Sequence, residues 1–457
     1  MFLLLWVVAV SSMVVVIVGY GYYKKESWQM KFLTVRLNHM IRNPQRKKKN
    51  VQHLLKDLYS LLNRKIDQKD SATAYQIIDL LKLAYGYGLI REDEAVRLMA
   101  VTVSALNNGS PDTAGFILDA FRPLIRQLSP QYIPSVAEQL TLIGAIALKQ
   151  KQSFLVAKVT ECIFVILDRT DTHLDNKILI STIHAFKVIG VFGLRHRDIA
   201  LFREITGRLS SWFSMNRVTE DVAEEIVYML TAWLHRIVGM SDIALFDLIE
   251  ECVYSLLEGK ILSGNAMELL VDEWGNLAAS ACLHPNSPVA GRIITFLFIC
   301  VDREEGNQYW QKVVAIAGRV AKLAVSRHGI TVAFRVFYPM LEMGRRMLSS
   351  ELRFVQYVDE YKQEVLFAIV RECLIVIAFA SRQELVGSLG TSIVEVFNCW
   401  MGSVEITSNR KSVKKYCQLL LLFWLKDKRQ AKRHMPNNSE LTEPILFSDR
   451  ERHRLGI

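Results

Sequence analysis

Proline is scarce in this chain, and its absence from the middle is informative. Only 10 of the 457 residues are proline, and none lies between Pro134 and Pro285. Proline breaks helices and is frequent in the turns of all-β folds, so this gap favours helices joined by short turns over a β-sandwich. With 51% apolar and 22% charged residues, the chain can bury a large core, which excludes disorder for most of its length.

Motifs that carry catalysis are also missing. Gly259-Lys260 lacks the glycine five positions earlier that a phosphate-binding loop needs, and Gly86-Tyr87-Gly88 lacks the third glycine of a dinucleotide fingerprint. Neither the HExxH pattern of metalloproteases nor the GxSxG pattern of serine hydrolases occurs. The sequence therefore predicts no catalytic residue, no cofactor and no metal ligand.

The seven cysteines do not form a motif. No two are closer than 18 positions, and no CxxC pair occurs. Most stand in apolar runs, such as Ile299-Cys300-Val301. This pattern predicts buried thiols in a reducing compartment, in preference to disulfides or a zinc site.

Lysine and arginine are absent before residue 24. Residues 1–18 carry no charge, and Gly19-Tyr20-Gly21-Tyr22-Tyr23 follow them. About 20 apolar residues span a bilayer, and tyrosines suit its interface. A cleaved signal peptide would have a basic start and a small-x-small exit, and neither is present. Residues 1–23 are therefore predicted to be an uncleaved transmembrane anchor.

Positive charge lies on the C-terminal side of this predicted anchor. The positive-inside rule then places the bulk of the chain in the cytoplasm and the N-terminus outside, in a single-pass protein of the cell's inner membrane. The same side chains are predicted to contact anionic lipid headgroups. These residues are Lys24, Lys25, Lys31, Arg36, Arg42, Arg46, Lys47, Lys48 and Lys49.

Residues 26–43 are predicted to be a helix with two apolar stripes. One stripe runs from Met30 to Ile41 through Leu33, Leu37 and Met40, and the other holds Trp28, Phe32 and Val35. Two interpretations remain open. The helix either lies in the interface of the inner leaflet or packs on the rest of the chain as its first helix.

The net charge of +10 is unevenly distributed. Residues 1–50 and residues 409–434 each carry nine Lys/Arg and one acid, whereas residues 51–408 are net −5. Basic ends on a mildly acidic body favour lipid contact over a nucleic-acid groove.

The helix around residues 419–425 lies within the second basic segment. The basic side chains there are either simply solvated or form a second membrane contact. The predicted segments are a transmembrane anchor at 1–23, a basic juxtamembrane helix and linker at 24–50, an α-helical solenoid at 51–434 and a flexible polar tail at 435–457.

The body shows helical periodicity and a weak internal repeat. Residues 51–66 and 222–238 place apolar side chains at i, i+3, i+4 and i+7. Asp198-Ile-Ala-Leu-Phe recurs 44 positions later, beginning at Asp242. An aspartate after a helix end is suited to capping the next helix. The predicted fold is all-α, a single N-terminal transmembrane helix followed by an α-solenoid of HEAT or armadillo-like helix pairs.

Three polar or apolar clusters have two interpretations each. Glu268, Asp272 and Glu273 suit either a carboxylate pair or, preferably, an inter-helix hydrogen-bonding cluster. Residues 365–380 are apolar around Arg371-Glu372, which favours a buried helix over a second membrane span. The histidines are predicted to have a structural or surface role. The alternative is a metal site, in which a nearby carboxylate would serve as a further ligand. The residues concerned are His184, His196, His235, Glu204 and Asp242.

These observations predict a structural or interaction protein. The leading interpretation is a membrane-anchored cytoplasmic scaffold or adaptor whose helical repeats bind an unidentified protein partner, with residues 1–23 in the bilayer. One alternative is an all-helical membrane-bound enzyme with an unrecognised site. A second is a nucleic-acid-binding solenoid, which the charge of −5 over residues 51–408 disfavours.

Overall fold

The computed structural model describes most of the chain between residues 28 and 328. The described ranges are 28–40, 48–87, 92–169, 176–215, 218–240, 242–283, 289–302 and 308–328, with residues 336, 339–340, 365, 368–369, 372–373 and 375–376. The predicted anchor at 1–23, the basic segment at 409–434 and the tail at 435–457 lie outside these residues, as do residues 24–27 and 41–47 of the predicted juxtamembrane helix and linker at 24–50. The end of that linker is instead helical, because α2 begins at Lys48.

Every regular element in the described ranges is helical, and no strand occurs there. Helix α1 covers residues 28–40. A short 3-10 turn at Pro130–Tyr132 precedes α6. The following helices are α2 Lys48–Asp67, α3 Ser71–Gly86, α4 Glu92–Asn107, α5 Pro111–Ile125, α6 Ile133–Lys149, α7 Ser153–Leu167, α8 Asn176–His196, α9 Ile199–Met215, α10 Glu220–Met240, α11 Ile243–Glu258, α12 Gly264–Ala281, α13 Val289–Val301 and α14 Trp310–His328.

The chain divides into two compact units, Met1–Phe192 and Gly193–Ile457, and the boundary falls inside α8. Helices follow one another in pairs, and each unit stacks its pairs in the same way. In the first unit α4 packs between α2 and α6, while α5 packs between α3 and α7. In the second unit α12 packs between α10 and α14, while α11 packs between α9 and α13. Each unit is therefore built from tandem helix pairs.

The predicted repeat length is confirmed by the helix starts. The first helices of successive pairs, α2, α4, α6, α8, α10, α12 and α14, begin at residues 48, 92, 133, 176, 220, 264 and 310, which are 41 to 46 positions apart. The predicted caps are also confirmed. Asp198 Oδ1 accepts a hydrogen bond from the Leu201 N–H, and Asp242 Oδ1 accepts one from the Leu245 N–H, both at 3.2 Å.

The core follows the apolar periodicity of the helices. The apolar face predicted for α10 is buried along its whole length, and Trp233 and Leu234 are fully buried. In α2, Leu54, Leu58 and Leu62 are likewise inaccessible to solvent. Because each of these helices is covered by its partner in the pair and by a helix of the next pair, the wide apolar faces are fully used.

Two apolar segments bear on the question of further membrane spans. Among the described helices, only α8 is long and apolar enough to cross a bilayer. In its most apolar stretch of 18 residues, 56% of the residues are buried within the fold. Core helices of globular proteins have the same properties. In the segment 365–380, Val365, Ile369 and Cys373 are helical and fully buried, as expected for a core helix.

Glycine allows one close approach between stacked helices. A Cβ at Gly275 of α12 would lie 2.7 Å from Ile316 Cδ1 and 3.0 Å from its Cγ2 on α14. Ile316 is 6% exposed and β-branched, so it has little room to turn aside. At Gly207 of α9, by contrast, a Cβ would meet nothing within 4 Å.

These two glycines therefore respond in opposite directions to the same substitution. We expect Gly275→Ala to destabilise the protein by about 1–3 kcal/mol through overpacking. Gly207→Ala should instead stabilise it by up to about 1 kcal/mol, because glycine is a poor helix former. Thermal unfolding of the full chain measures both, and a stabilising effect of Gly275→Ala would show that α12 and α14 are not in this contact.

Candidate membrane-contact site

Helix α1 packs on the first unit through one of its two predicted stripes. Leu33 and Leu37 are 2% and 1% exposed, and Met30 and Met40 are 9% exposed. These residues are three, four and three positions apart, which places them on one face of the helix. The alternative in which α1 packs as the first helix of the body is therefore correct for this stripe.

The second stripe of α1 remains exposed. Trp28, Phe32 and Val35 are 68%, 63% and 68% exposed, and they stand at i, i+4 and i+7. Isolated exposed apolar residues are normal on a protein surface, but an aligned row with two aromatic rings is a feature of interaction sites. We call these three residues the outer stripe.

Basic side chains lie on the same helix as the outer stripe. Lys31 is exposed and Arg36 is half-buried. Of the other predicted headgroup contacts, Lys48 and Lys49 belong to the first turn of α2, where the structure describes only the helix itself. The remaining five, Lys24, Lys25, Arg42, Arg46 and Lys47, lie outside the described residues.

A groove of about 880 Å³ separates α1 from the end of α2 and the start of α3. Lys31 and Val35 of α1 line one side, and Asp70, Thr73 and Asp79 line the other. The outer stripe and the groove therefore share Val35, and Lys31 of the groove lies in the sequence between Trp28 and Phe32 of the outer stripe.

One wall of the groove is held by a partly buried ion pair. Lys65 is 5% exposed, and its Nζ lies 3.2 Å from Asp70 Oδ2. Partial burial acts to raise the pKa of Asp70, but hydrogen bonds from the Thr73 hydroxyl, the Thr73 N–H and Lys65 outweigh it and lower the pKa. Asp70 also caps α3, so this pair fixes the turn between α2 and α3.

The carboxylates predicted around residue 270 form an inter-helix contact. Lys312 Nζ of α14 donates to Glu268 Oε1 at 2.9 Å and to Asp272 Oδ2 at 2.8 Å, both on α12. Both carboxylates are therefore paired with a lysine of α14, the first helix of the following pair, and together they bridge two stacked helices. The preferred interpretation of this cluster is confirmed.

The other sequence candidates do not come together. His184, His196 and His235 all lie on the surface. Within the described ranges, no group of three or more His, Cys, Asp or Glu side chains is placed to hold a metal ion.

The five described cysteines are buried and free of disulfides, as predicted. Burial raises the pKa of Cys162 and Cys252 to about 12 and that of Cys282 to about 11. These thiols therefore stay protonated and unreactive at neutral pH. Cys399 and Cys417 lie outside the described residues.

A strongly acidic surface in the second unit was missed by the sequence reasoning. Residues 218–283 contain twelve acids and two Lys/Arg. On the two first helices of this stretch, α10 and α12, every acid is exposed or half-exposed. A charge count over a 60-residue window would have found this surface. We call it the acidic face, and its members are Glu220, Asp221, Glu224, Glu225, Glu268, Asp272 and Glu273.

Comparisons with known proteins add little. No family model matches the chain, and no curated protein matches it. A solved structure described as a circular tandem repeat protein with novel repeat topology and enhanced subunit contact surfaces aligns over 89% of this chain and 97% of its own. The TM-score is 0.30 at 14% sequence identity, so the fold assignment rests on the helix contacts given above.

Proposed function

We propose that this protein is a membrane-anchored helical-repeat scaffold. In this proposal residues 1–23 span the inner membrane, α1 lies on its cytoplasmic surface, and the helix pairs bind a protein partner there. The observation that carries the proposal is the outer stripe, because Trp28, Phe32 and Val35 point away from the core on a helix whose opposite face is buried.

The strength of such a contact can be estimated. Fully burying one side chain of this size stabilises by about 1.5–3 kcal/mol, so three partly immersed side chains give on the order of 4 kcal/mol. A lysine near an anionic surface adds about 1 kcal/mol. On its own, 4 kcal/mol corresponds to a dissociation constant of about 1 mM. The stripe would therefore orient a domain that is already tethered, and the predicted anchor supplies the tether.

The short distance in sequence between anchor and stripe supports the same arrangement. Tyr23 ends the predicted span, and Trp28 follows five positions later. Five residues reach at most about 18 Å when fully extended. A span that ends at Tyr23 would thus keep Trp28 close to the lipid headgroups, where tryptophan is favoured.

The acidic face suggests what kind of partner the repeats bind. Lys312 pairs with Glu268 and Asp272, but the remaining exposed and half-exposed acids of α10 and α12 keep this face negatively charged, so that it attracts a basic protein surface and repels nucleic acid and anionic lipid. Tyr228, which is 40% exposed on α10, adds an aromatic side chain to this surface. A positively charged protein at the membrane is therefore the partner we propose.

The alternatives receive less support. The carboxylate pair that an enzyme would have used does not line a cavity, because Glu268 and Asp272 converge on Lys312 between two helices. A nucleic-acid binder would need a basic surface on the repeats, and the acidic face has the opposite charge.

The membrane contact of α1 can be tested with Trp28. In vesicles that contain lipids brominated near the headgroup, tryptophan fluorescence is quenched only in lipid-contacting residues. We expect Trp28→Phe to remove roughly a third to a half of the quenched intensity of the full-length protein, because few of its eight tryptophans reach the interface. The matched control is Trp212→Phe, which is buried in the second unit and should leave the quenching unchanged. Equal quenching in both variants would contradict the proposal.

The partner surface can be tested by charge reversal. We expect the triple variant Asp221→Lys, Glu224→Lys and Glu225→Lys to lower the recovery of a cross-linked membrane partner by roughly tenfold, because charge complementarity is replaced by repulsion. A control triple variant reverses three exposed acids of the first unit, Asp57, Asp93 and Glu138. Recovery of the same proteins in the same amounts from both variants would rule out the acidic face as the binding surface.

A further inference from the structure

The groove beside α1 has a mixed lining of apolar and polar side chains, and its charged side chains carry no net charge. Its charged side chains are Lys31 and Lys65 on one hand and Asp70 and Asp79 on the other. The ion pair between Lys65 and Asp70 neutralises two of them. The other two, Lys31 on α1 and Asp79 on α3, are exposed on opposite walls of the groove. A ligand with one positive and one negative group would complement this arrangement, whereas a simple anion would meet both carboxylates.

The size of the groove and the side chains on its walls further limit the class of ligand that fits. Its volume of about 880 Å³ lies within the range of small-molecule sites. No aromatic ring lines it among the described residues, so it lacks the cage that favours a quaternary ammonium. Asp79 and Gln76 instead offer oxygen acceptors to the N–H donors of a primary ammonium.

The position of the groove connects it to the membrane surface. Val35 belongs both to the groove and to the outer stripe, and Lys31 lies one position before Phe32 of that stripe. A ligand seated at Lys31 could therefore extend an apolar portion over Val35 toward the outer stripe. This continuity favours a lipid over a free zwitterionic metabolite.

We propose that the groove binds the headgroup of phosphatidylethanolamine. The phosphate pairs with the Lys31 ammonium, and the ethanolamine ammonium donates to the Asp79 carboxylate. The Lys65–Asp70 pair does not bind the lipid but holds the α2–α3 turn that forms one wall. This inference rests on the proposed function, because α1 must lie on the membrane for a bilayer lipid to reach the groove.

The test uses soluble short-chain lipids with the full-length protein in mild detergent. Native mass spectrometry counts the molecules of dihexanoyl-phosphatidylethanolamine bound per chain, with the phosphatidylcholine and phosphatidylglycerol analogues as competitors. We expect one phosphatidylethanolamine per chain and roughly fivefold weaker binding of both analogues, since each lacks one of the two charge-assisted contacts. Asp79→Asn and Lys31→Gln should each weaken phosphatidylethanolamine binding to a similar extent.

The control variant is Asp57→Asn, an exposed carboxylate on α2 that does not line the groove and should leave binding unchanged. Equal binding of the three headgroups, or equal behaviour of Asp79→Asn and Asp57→Asn, would overturn the proposal. Because these lipids form no bilayer, such a result is separate from the membrane contact of Trp28. Conversely, headgroup selectivity without Trp28 quenching would refute the membrane contact and leave the groove as a headgroup site.

Discussion

Within each unit, the fold depends on helices being covered by their counterparts in the next helix pair. One pair cannot bury two wide apolar faces by itself, so successive pairs must stack at a constant register. Contacts between residues about one repeat apart record that register. Lys312 reaches Glu268 across 44 positions, and Arg292 reaches Asp247 across 45. Gly275 adds a steric requirement, because only a residue without Cβ fits against Ile316.

Helix α1 differs from the repeat helices because only one of its two apolar stripes is covered by the part of the chain that the structure describes. Its inner residues Leu33 and Leu37 are buried almost as completely as the leucines of the repeat core. Its outer residues Trp28 and Phe32 are mostly exposed although they are as apolar. Exposing two aromatic rings to water is unfavourable by a few kcal/mol in total. A surface that covers the outer stripe would recover this free energy, and we propose that this surface is a membrane, which the predicted span reaches only five positions before Trp28.

Much of the repeat architecture could be predicted from the sequence, because it depends on patterns among residues that are close in the sequence. The copy of Asp198-Ile-Ala-Leu-Phe at Asp242 gave both the repeat length and the capping residues, since a cap is a contact over three positions. The two stripes of α1 were also predicted. Which of the two stripes is buried could not be predicted, because periodicity places residues on one face of a helix but does not indicate which face meets the core.

The candidate sites were harder to predict because tertiary contacts create them. The groove joins Lys31 to Asp79, which are 48 positions apart, and the bridge on α12 needs Lys312 from the next repeat. The acidic face is dispersed among apolar core residues, so no short motif marks it. A charge count over residues 218–283 finds the excess of acids, but only the structure shows that the acids of α10 and α12 lie together on the exposed side.

A spin-label scan along α1 tests the central claim most directly. A spin-labelled amino acid would be introduced at each position from 28 to 40 of the full chain in lipid nanodiscs. Collision rates with oxygen, which concentrates in lipid, and with an aqueous nickel chelate would then be compared. The account predicts oxygen-dominated collisions at 28, 32 and 35 and slow motion at 33 and 37, with the 3.6-residue period of a helix. Nickel-dominated collisions at 28, 32 and 35 would show that this stripe faces water, and would contradict the account.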